Sequence, residues 1–276
     1  MGKIRRTLVT LGIWIGIQIL VTLIMIIAAT ANGAEISGVI NTIMAPSLLI
    51  SDALVIILLI AIRYCKAKEL IQLVPKDIFL ISLIFGICGM LAVDMIAEPL
   101  DIPNVLADQF KDLSKSVMGF LAICIIGPVM EEIMMRRVIL TEMSKLTNSM
   151  WGGILISALM FAVIHLNPIQ VVFALPAGII LGWLYCKTGS LFVPICLHIL
   201  NNTISFITIR MDAGSDSESP LSITKPLGLA LFCVILIITI ASLIWINRYY
   251  SKKAKEEQAA IEAQSESDSS AGELVQ

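Results

Sequence analysis

Long apolar runs separated by short polar stretches are the feature of this sequence that most limits its possible folds. Eight runs fall at about residues 7–29, 44–64, 77–97, 117–140, 150–166, 170–186, 189–209 and 226–247. A bilayer core of about 30 Å needs about 20 residues of apolar α-helix, and only helices or closed barrels satisfy every backbone polar group there. The runs therefore predict an all-α, polytopic transmembrane helical bundle with about eight spans.

Three of these runs, which start near residues 150, 170 and 189, are short and closely spaced. We expect them to form tight helical hairpins or helices that cross only part of the membrane. The first run follows basic residues and precedes a possible small-residue cleavage site at Ala29-Thr30-Ala31, as in a secretory signal. Because the run exceeds 20 residues, an uncleaved first helix is favoured.

The composition agrees with a chain whose main solvent is lipid. Hydrophobic residues make up 58% of the chain and charged residues 14%, and the mean hydropathy is +0.93. No basic face suited to nucleic acid is visible, so membrane lipid rather than nucleic acid is the expected partner. The six cysteines form no CxxC pair, which argues against a disulfide framework and against a thiolate zinc site.

The charged residues between the runs predict the orientation of the chain. Basic residues come before the first span, after the second, at the end of the fourth and after the eighth: Lys3, Arg5, Arg6, Arg63, Lys66, Lys68, Arg136, Arg137, Lys145, Arg248, Lys252, Lys253 and Lys255. With eight spans they all fall on one side, which the positive-inside rule assigns to the cytoplasm. The acidic connections at 98–115 and 210–222 fall on the other side, so both termini should be cytoplasmic.

Four regions follow from this reading. Residues 1–115 hold the first three transmembrane helices, 116–209 form a catalytic helical core, and 210–248 form an external loop and the last helix. Residues 249–276 are polar and poor in large apolar side chains, so we expect a disordered cytoplasmic tail.

Ionisable residues inside a span are costly, and most of those in this chain fall in one region. In the fourth run, Glu132 and Arg136 are four residues apart with the acid first, the favourable order for an ion pair on one helix face. Glu131 lies about 100° round the helix and does not share that face. Pro128 can kink the helix one turn before Glu131. Thus Glu132 has a structural partner, whereas Glu131 is free to react.

Further polar side chains follow in the next runs. The chain has two histidines, His165 at the end of the fifth run and His198 inside the seventh. Phe161 precedes His165 by one helical turn, and Asn202 follows His198 by one turn. Asp52 and Asp94 also lie in or near spans, where we expect a partner on a neighbouring helix or a position near the interface.

This set of residues is suited to amide hydrolysis by one of two routes. A glutamate in a low dielectric can act as general base on water, while His and Asn side chains donate hydrogen bonds to the developing oxyanion. Alternatively, Glu131, His165 and His198 could bind Zn²⁺ and leave one position for water. A nucleophile among Ser157, Cys124 and Cys196 is a weaker third option, because none has a histidine at matching depth.

These residues resemble the three motifs of the CAAX protease and bacteriocin-processing (CPBP or Abi) family of intramembrane endopeptidases. The patterns are E-E-x-x-x-R, F-x-x-x-H and H-x-x-x-N. The matching residues, in order, are Glu131, Glu132, Arg136, Phe161, His165, His198 and Asn202. The resemblance covers about a third of the chain.

The resemblance implies an intramembrane endopeptidase whose glutamate-activated water cleaves a membrane-associated peptide or protein. It implies that Glu131 is the base and that His165, His198 and Asn202 bind water or stabilise the oxyanion, with Glu132, Arg136 and Phe161 in support. It leaves the cofactor open between none and a divalent metal such as Zn²⁺. It also suggests a multi-pass protein of a bacterial cell membrane, with a role in bacteriocin self-immunity or peptide maturation. Oligomeric state and substrate identity stay open.

Two alternative hypotheses explain the same residues without catalysis. A non-catalytic immunity protein or carrier could bind a peptide or proton at the polar cluster, with helices broken at Pro128 and Pro194. A purely structural network could hold the bundle together, with Gly178 and Gly182 as a helix contact. The peptidase hypothesis requires the four proposed catalytic side chains to converge.

Overall fold

The chain folds into nine helices in a computed structural model that describes residues 2–33, 36–211 and 222–273. These described ranges contain no strand. The helices are α1 Gly2–Ala31, α2 Ile36–Ala61, α3 Lys76–Ala97, α4 Ala107–Leu113, α5 Val117–Thr147, α6 Met150–Val163, α7 Pro168–Thr188, α8 Phe192–Met211 and α9 Pro226–Glu273. Short 3₁₀ turns lie at Ala67–Ile71 and Glu98–Leu100. The architecture confirms the predicted all-α polytopic bundle.

Seven of these helices are long and apolar enough to cross a membrane, and α6 is the exception to the predicted eight. It has 14 residues, which corresponds to about 21 Å. The chain leaves the helix at Leu166, whose φ is 52°. It then starts α7 at Pro168, because the residue before a proline is driven out of the helical region. One predicted span is therefore a helix that crosses only part of the layer.

Ion pairs join several connections between helices at one end of the bundle. Arg6, near the start of α1, lies 3.1 Å from Glu142 at the end of α5. Glu69, in the turn between α2 and α3, lies 2.6 Å from Arg137 of α5. This end carries basic residues of the side that the sequence predicts to be the inner one.

The last helix returns the chain to this same end. Gly89 of α3 lies beside Thr239 of α9, and Tyr250 interacts electrostatically with Asp77 at the start of α3. These contacts make α9 antiparallel to α3, so the polar end of α9 lies on the side where α1 begins. The acidic residues expected in the external connection, Asp212, Asp216 and Glu218, lie outside the described residues.

The prediction of a disordered tail from residue 249 is wrong as far as Glu273, because α9 continues to that residue. This stretch is rich in Ala, Glu, Lys and Gln, which are strong helix formers even without a core to pack against. Lys252 pairs with Glu256 at 3.7 Å and Lys253 with Glu257 at 3.8 Å, both four residues apart. Residues 251–264 therefore form an exposed polar continuation of α9.

Two π-helical segments interrupt α5, at Leu121–Ile126 and Ile133–Leu140. In the first, the Gly127 N–H donates to the Ala122 carbonyl, five residues back. A Cβ on Gly127 would lie 2.7 Å from that oxygen, so only glycine fits there. The predicted disturbance before Pro128 takes the form of this wider turn. The segment Gly127–Glu132 thus sits between two widened turns in the middle of the bundle.

Small residues let α7 pack closely on its neighbours. A Cβ on Gly178 would lie 2.9 Å from the Ala158 Cα of α6, and one on Gly182 would lie 3.1 Å from Leu140 of α5. The pair Gly178 and Gly182 is therefore a helix-packing surface. This packing places α6 beside the π segments of α5, where the predicted site residues lie.

Candidate active site

A fully buried ion pair forms the base of the candidate site. Glu132 and Arg136 both have side chains with 0% exposure, and their atoms Oε2 and Nε are 2.8 Å apart. A second hydrogen bond of 3.3 Å joins Nη2 to Oε1. Arg136 also donates to Ser157 Oγ at 3.2 Å, and that hydroxyl donates to the Met135 carbonyl at 2.8 Å. The pairing agrees with the sequence prediction, and it gives Ser157 a structural part in the network.

His198 is held by the same carboxylate. Its Nδ1 lies 2.9 Å from Glu132 Oε1. Because a carboxylate paired with Arg136 can only accept, Nδ1 must be the donor. In the neutral ring, Nε2 therefore carries the lone pair, and it lies 3.5 Å from Glu131 Oε2. Glu132 thus fixes the tautomer through which His198 faces Glu131.

Glu131 is the acid of this region with no cationic partner other than His198 among the described residues. Its side chain is 22% exposed, whereas its neighbour Glu132 is fully buried. The two successive glutamates therefore have different environments, as their positions on the helix predicted. Glu131 is partly exposed and is in no ion pair with an Arg or Lys of the described ranges, so its carboxylate can act as a base on water.

Phe161 links the two histidines. Its ring is 2% exposed and packs edge to face against both imidazoles, with centroid distances of 4.9 Å to His165 and 5.6 Å to His198. His165 Nδ1 donates to the Phe161 carbonyl at 2.7 Å, which leaves Nε2 as the acceptor nitrogen of the neutral ring. No hydrogen bond or ion pair joins His165 to Glu131 within the described ranges. His165 is thus connected to the other site residues by its contacts with Phe161 and not by a contact with Glu131.

Asn202 is tied to the first π segment. Its Nδ2 donates to the Ile123 carbonyl at 3.0 Å, and the Cys124 thiol donates to the Asn202 carbonyl at 3.6 Å. A carboxamide nitrogen has two hydrogens, so one N–H is left for a ligand. Asn202 lies one turn along α8 from His198, which is about 6 Å. Cys124 is fully buried and bonded to backbone, which does not suit a nucleophile.

The expected metal alternative was tested against the positions of its three ligands. The chemistry of the donors is suitable, because both histidines hold Nδ1 on an acceptor and keep Nε2 available. Their spacing is not, since the part of the chain that the structure describes contains no group of three His, Cys, Asp or Glu side chains placed to hold a metal ion. Glu131, His165 and His198 therefore do not fit as a three-ligand set among the described residues.

Sequence reasoning missed the position of Asp52. This residue of α2 is 5% exposed and accepts a hydrogen bond of 3.3 Å from Trp14 Nε1. It lies next to Gly127, one turn before Glu131 on α5. An aspartate within an apolar run was a sign of a special role. The sequence could not show that it lies beside the candidate site, because that depends on how α2 packs against α5. Asp94, the other aspartate considered, is exposed on α3.

Comparisons with known proteins match the part of the chain that contains these residues. A family model described as type II CAAX prenyl endopeptidase, Rce1-like, matches residues 113–204. A relative from Bacillus subtilis (strain 168), named "Putative membrane peptidase YdiL", is 32% identical over 83 residues. That match covers 30% of this chain and 34% of the relative, so the chain spans about a third of the relative's length. No solved structure matches.

The matched segment begins just before α5 and ends in α8, so it contains the E-E-x-x-x-R, F-x-x-x-H and H-x-x-x-N residues. The seven apolar spans are those of a multi-pass membrane protein, and the relative is a bacterial protein named for a membrane peptidase. Over residues 113–204, this chain is therefore similar to the Rce1-like type II CAAX prenyl endopeptidases and to a membrane peptidase of the same kind.

Proposed function

We propose that this protein is an intramembrane endopeptidase that hydrolyses a peptide bond of a membrane-associated peptide or protein. The observation that carries the proposal is the contact of 3.5 Å between Glu131 Oε2 and His198 Nε2, with Nδ1 of the same ring bound to Glu132. Glu131 lies near the middle of the 31-residue span Val117–Thr147. A free acid, an oriented imidazole and a buried counter-ion pair at this depth support a reaction inside the membrane.

In the proposed reaction, the Glu131 carboxylate takes a proton from water as the water oxygen attacks the scissile carbonyl carbon. The resulting tetrahedral oxyanion accepts a hydrogen bond from the free N–H of Asn202. The C–N bond then breaks as the proton on Glu131 passes to the leaving amine. The products are a carboxylic acid and an amine, which exchange a proton to give a carboxylate and an ammonium group, and the Glu131 carboxylate is restored.

The orientation of His198 changes its proposed role. Because Nδ1 donates to Glu132, a neutral ring presents a lone pair to Glu131 and cannot donate to an oxyanion from Nε2. We assign His198 to accepting a hydrogen bond from protonated Glu131 or from the attacking water. Nε2 becomes a donor to the oxyanion only in the imidazolium form. His165 stays a proposed water-binding residue held by Phe161.

The substrate class follows from the place of the site. A residue in the middle of a span is reached from the membrane or along an aqueous path between helices, so the substrate is an extended or unfolded peptide segment of a membrane-associated protein. Family resemblance supports peptide maturation or bacteriocin self-immunity as the cellular role. Both roles need the same bond cleavage.

The test is cleavage of a library of membrane-associated peptides by the purified full-length chain in lipid nanodiscs. Wild type is compared with Glu131→Gln and with Glu98→Gln, a matched change at an exposed glutamate at the end of α3. We expect cleavage by wild type and Glu98→Gln and none by Glu131→Gln at equal folding. A parallel sample with a chelator separates a metal-dependent reaction from one by glutamate alone. If no variant cleaves while all bind peptides equally, the non-catalytic immunity or carrier function replaces the peptidase.

A further inference from the structure

Asp52 is a buried acid in a span for which the proposed reaction has no role. Its side chain is 5% exposed, and Oδ1 accepts one hydrogen bond, from Trp14 Nε1 at 3.3 Å. No residue in the described ranges donates to Oδ2. Burying a carboxylate with one hydrogen bond in a low-dielectric interior costs free energy. Its presence therefore indicates either a function or a bound proton.

The position of Asp52 relative to α5 brings it to the face that carries Glu131. A Cβ on Gly127 would lie 3.9 Å from Asp52 Oδ2. Gly127 and Glu131 are four residues apart, and helical side chains lean toward the helix N-terminus, so the Glu131 side chain extends over the turn of Gly127. The Cβ position of Gly127 is thus within van der Waals range of the Asp52 carboxyl group, which places Asp52 beside the turn that precedes Glu131.

The other charged groups near Glu131 do not neutralise a second negative charge. His198 holds Glu132 with its Nδ1, and the same carboxylate balances the charge of Arg136. His165 holds a backbone carbonyl with its N–H. Two neighbouring carboxyl groups repel each other when both are ionised, which favours a state in which they share one proton.

We propose that Asp52 is a positioning residue that shares one proton with Glu131 and so holds the Glu131 carboxylate between α2 and α8. This inference rests on the proposed peptidase function. Protonated Asp52 donates to one oxygen of Glu131, and the other oxygen takes the proton of the attacking water. The proton on Asp52 stays in place through the cycle. The N-terminal hairpin of α1 and α2, outside the matched segment 113–204, thereby completes the site.

Two substitutions at Asp52 test this role against a merely structural one. Asp52→Asn keeps an acceptor for Trp14 and presents an N–H to Glu131, so it mimics the protonated acid. Asp52→Leu has similar volume and no donor. We expect Asp52→Asn to keep kcat within about 3-fold of wild type and Asp52→Leu to lower kcat about 100-fold at unchanged KM, the scale of a misplaced catalytic group. Two variants are the controls. Ser51→Ala changes the neighbouring residue of α2, and Trp14→Phe removes the hydrogen bond to Asp52 but keeps the Asp52 carboxyl group that donates to Glu131.

Either of two results would overturn the proposal: normal kcat in a folded Asp52→Leu protein, or an Asp52→Asn protein as inactive as Asp52→Leu. The second result would mean that a negative charge, and not a hydrogen-bond donor, is needed at this position. Thermal unfolding and gel filtration of each variant establish that the comparison is made between folded proteins.

Chemical labelling of the two carboxyl groups does not depend on catalysis, so it tests the shared proton separately from the proposed peptidase function. Dicyclohexylcarbodiimide is apolar and reacts with protonated carboxyl groups shielded from water, and mass spectrometry of peptides locates the adduct. We expect labelling of Asp52 or Glu131 in wild type and in Ser51→Ala. Asp52→Asn should protect Glu131, and Glu131→Gln should protect Asp52, because each amide donates to a remaining acid that is ionised.

Unlabelled wild type, or undiminished labelling in both amide variants, contradicts the shared proton. This pattern without any peptide cleavage would support the pair and reject the peptidase.

Discussion

Glu132 Oε1 lies 2.9 Å from His198 Nδ1 and also accepts a hydrogen bond from Arg136. One buried carboxylate thus serves as the counter-ion of a guanidinium on its own helix and as the orienting group of an imidazole on another. Removing the guanidinium would leave this acid without its fixed positive partner.

We expect Arg136→Leu to lower the free energy of unfolding by about 3–5 kcal/mol, because the loss of one partner leaves a buried charge uncompensated. The neighbouring change Arg137→Leu removes an ion pair with Glu69 that is partly exposed, and it should cost about 1 kcal/mol or less. Thermal and denaturant unfolding in detergent compares the two variants. Equal losses would mean that the buried pair contributes no more than the peripheral one.

Close packing of α7 on α6 should make Gly178 intolerant of a side chain. A Cβ there meets the Ala158 backbone at 2.9 Å, whereas one on Gly12 of α1 has nothing within 4 Å. Gly178→Val should therefore lower stability by about 1–3 kcal/mol through overpacking. Gly12→Val should leave the unfolding temperature nearly unchanged. The prediction is wrong if both variants unfold at the wild-type temperature.

Asn167 joins the connection between α3 and α4 to the turn between α6 and α7. Its side chain is fully buried, with Oδ1 accepting from the Val105 N–H at 3.2 Å and Nδ2 donating to Asn104 at 2.9 Å. Asn167→Ala should cost about 1–3 kcal/mol locally, because it leaves buried polar groups unpaired. Faster amide hydrogen exchange at Val105 is the expected result. Asn104→Ala, which removes one of the two bonds, should have the smaller effect. Unchanged exchange in both would show that other contacts hold this connection.

The ion pair between Glu69 and Arg137 should make stability depend on pH. The hydrogen bond from Arg137 holds the pKa of Glu69 below its ordinary value of 4.5. The pair therefore stabilises the fold at pH values above 4.5, and this contribution is lost as the pH falls through the lowered pKa. Glu69→Gln should unfold at a lower temperature than wild type at neutral pH, with the gap closing in acid.

A series of unfolding scans from neutral to acidic pH checks this expectation, with the exposed Glu98→Gln as the control. That control should follow wild type throughout. A gap for Glu69→Gln that stays constant into acid would mean that packing, rather than charge, is lost in the variant.

Local patterns in the sequence predicted the parts of the site that one helix determines. The spacing of Glu132 and Arg136 predicted their ion pair, and the angle between successive residues predicted that Glu131 is free. Spacing along one helix carries no information on which neighbour will be in contact. The bond from Glu132 to His198 and the position of Asp52 beside Gly127 were therefore beyond the sequence patterns.

Apolar runs predicted the number of helices better than their lengths. The run at 150–166 has the composition of a span, but the turn before Pro168 ends its helix at Val163. The polar end of the chain was expected to be disordered because it has no core-forming residues. Helix propensity and continuity with a membrane span extend α9 to Glu273 instead.

The π turn at Leu121–Ile126 also sets the angle between the side chains that precede it and those that follow it around the axis of α5. A π turn has the effect of one residue inserted into an α-helix, so it shifts the angular register of Val117–Phe120 against Gly127–Glu132 by about 100°. Deleting one residue within 121–126 would let the helix close into regular α-turns. Glu131 would then stay opposite His198 only if the start of α5 rotated by that angle. Chain length in this stretch, which no motif records, is thus a determinant of where the acid points.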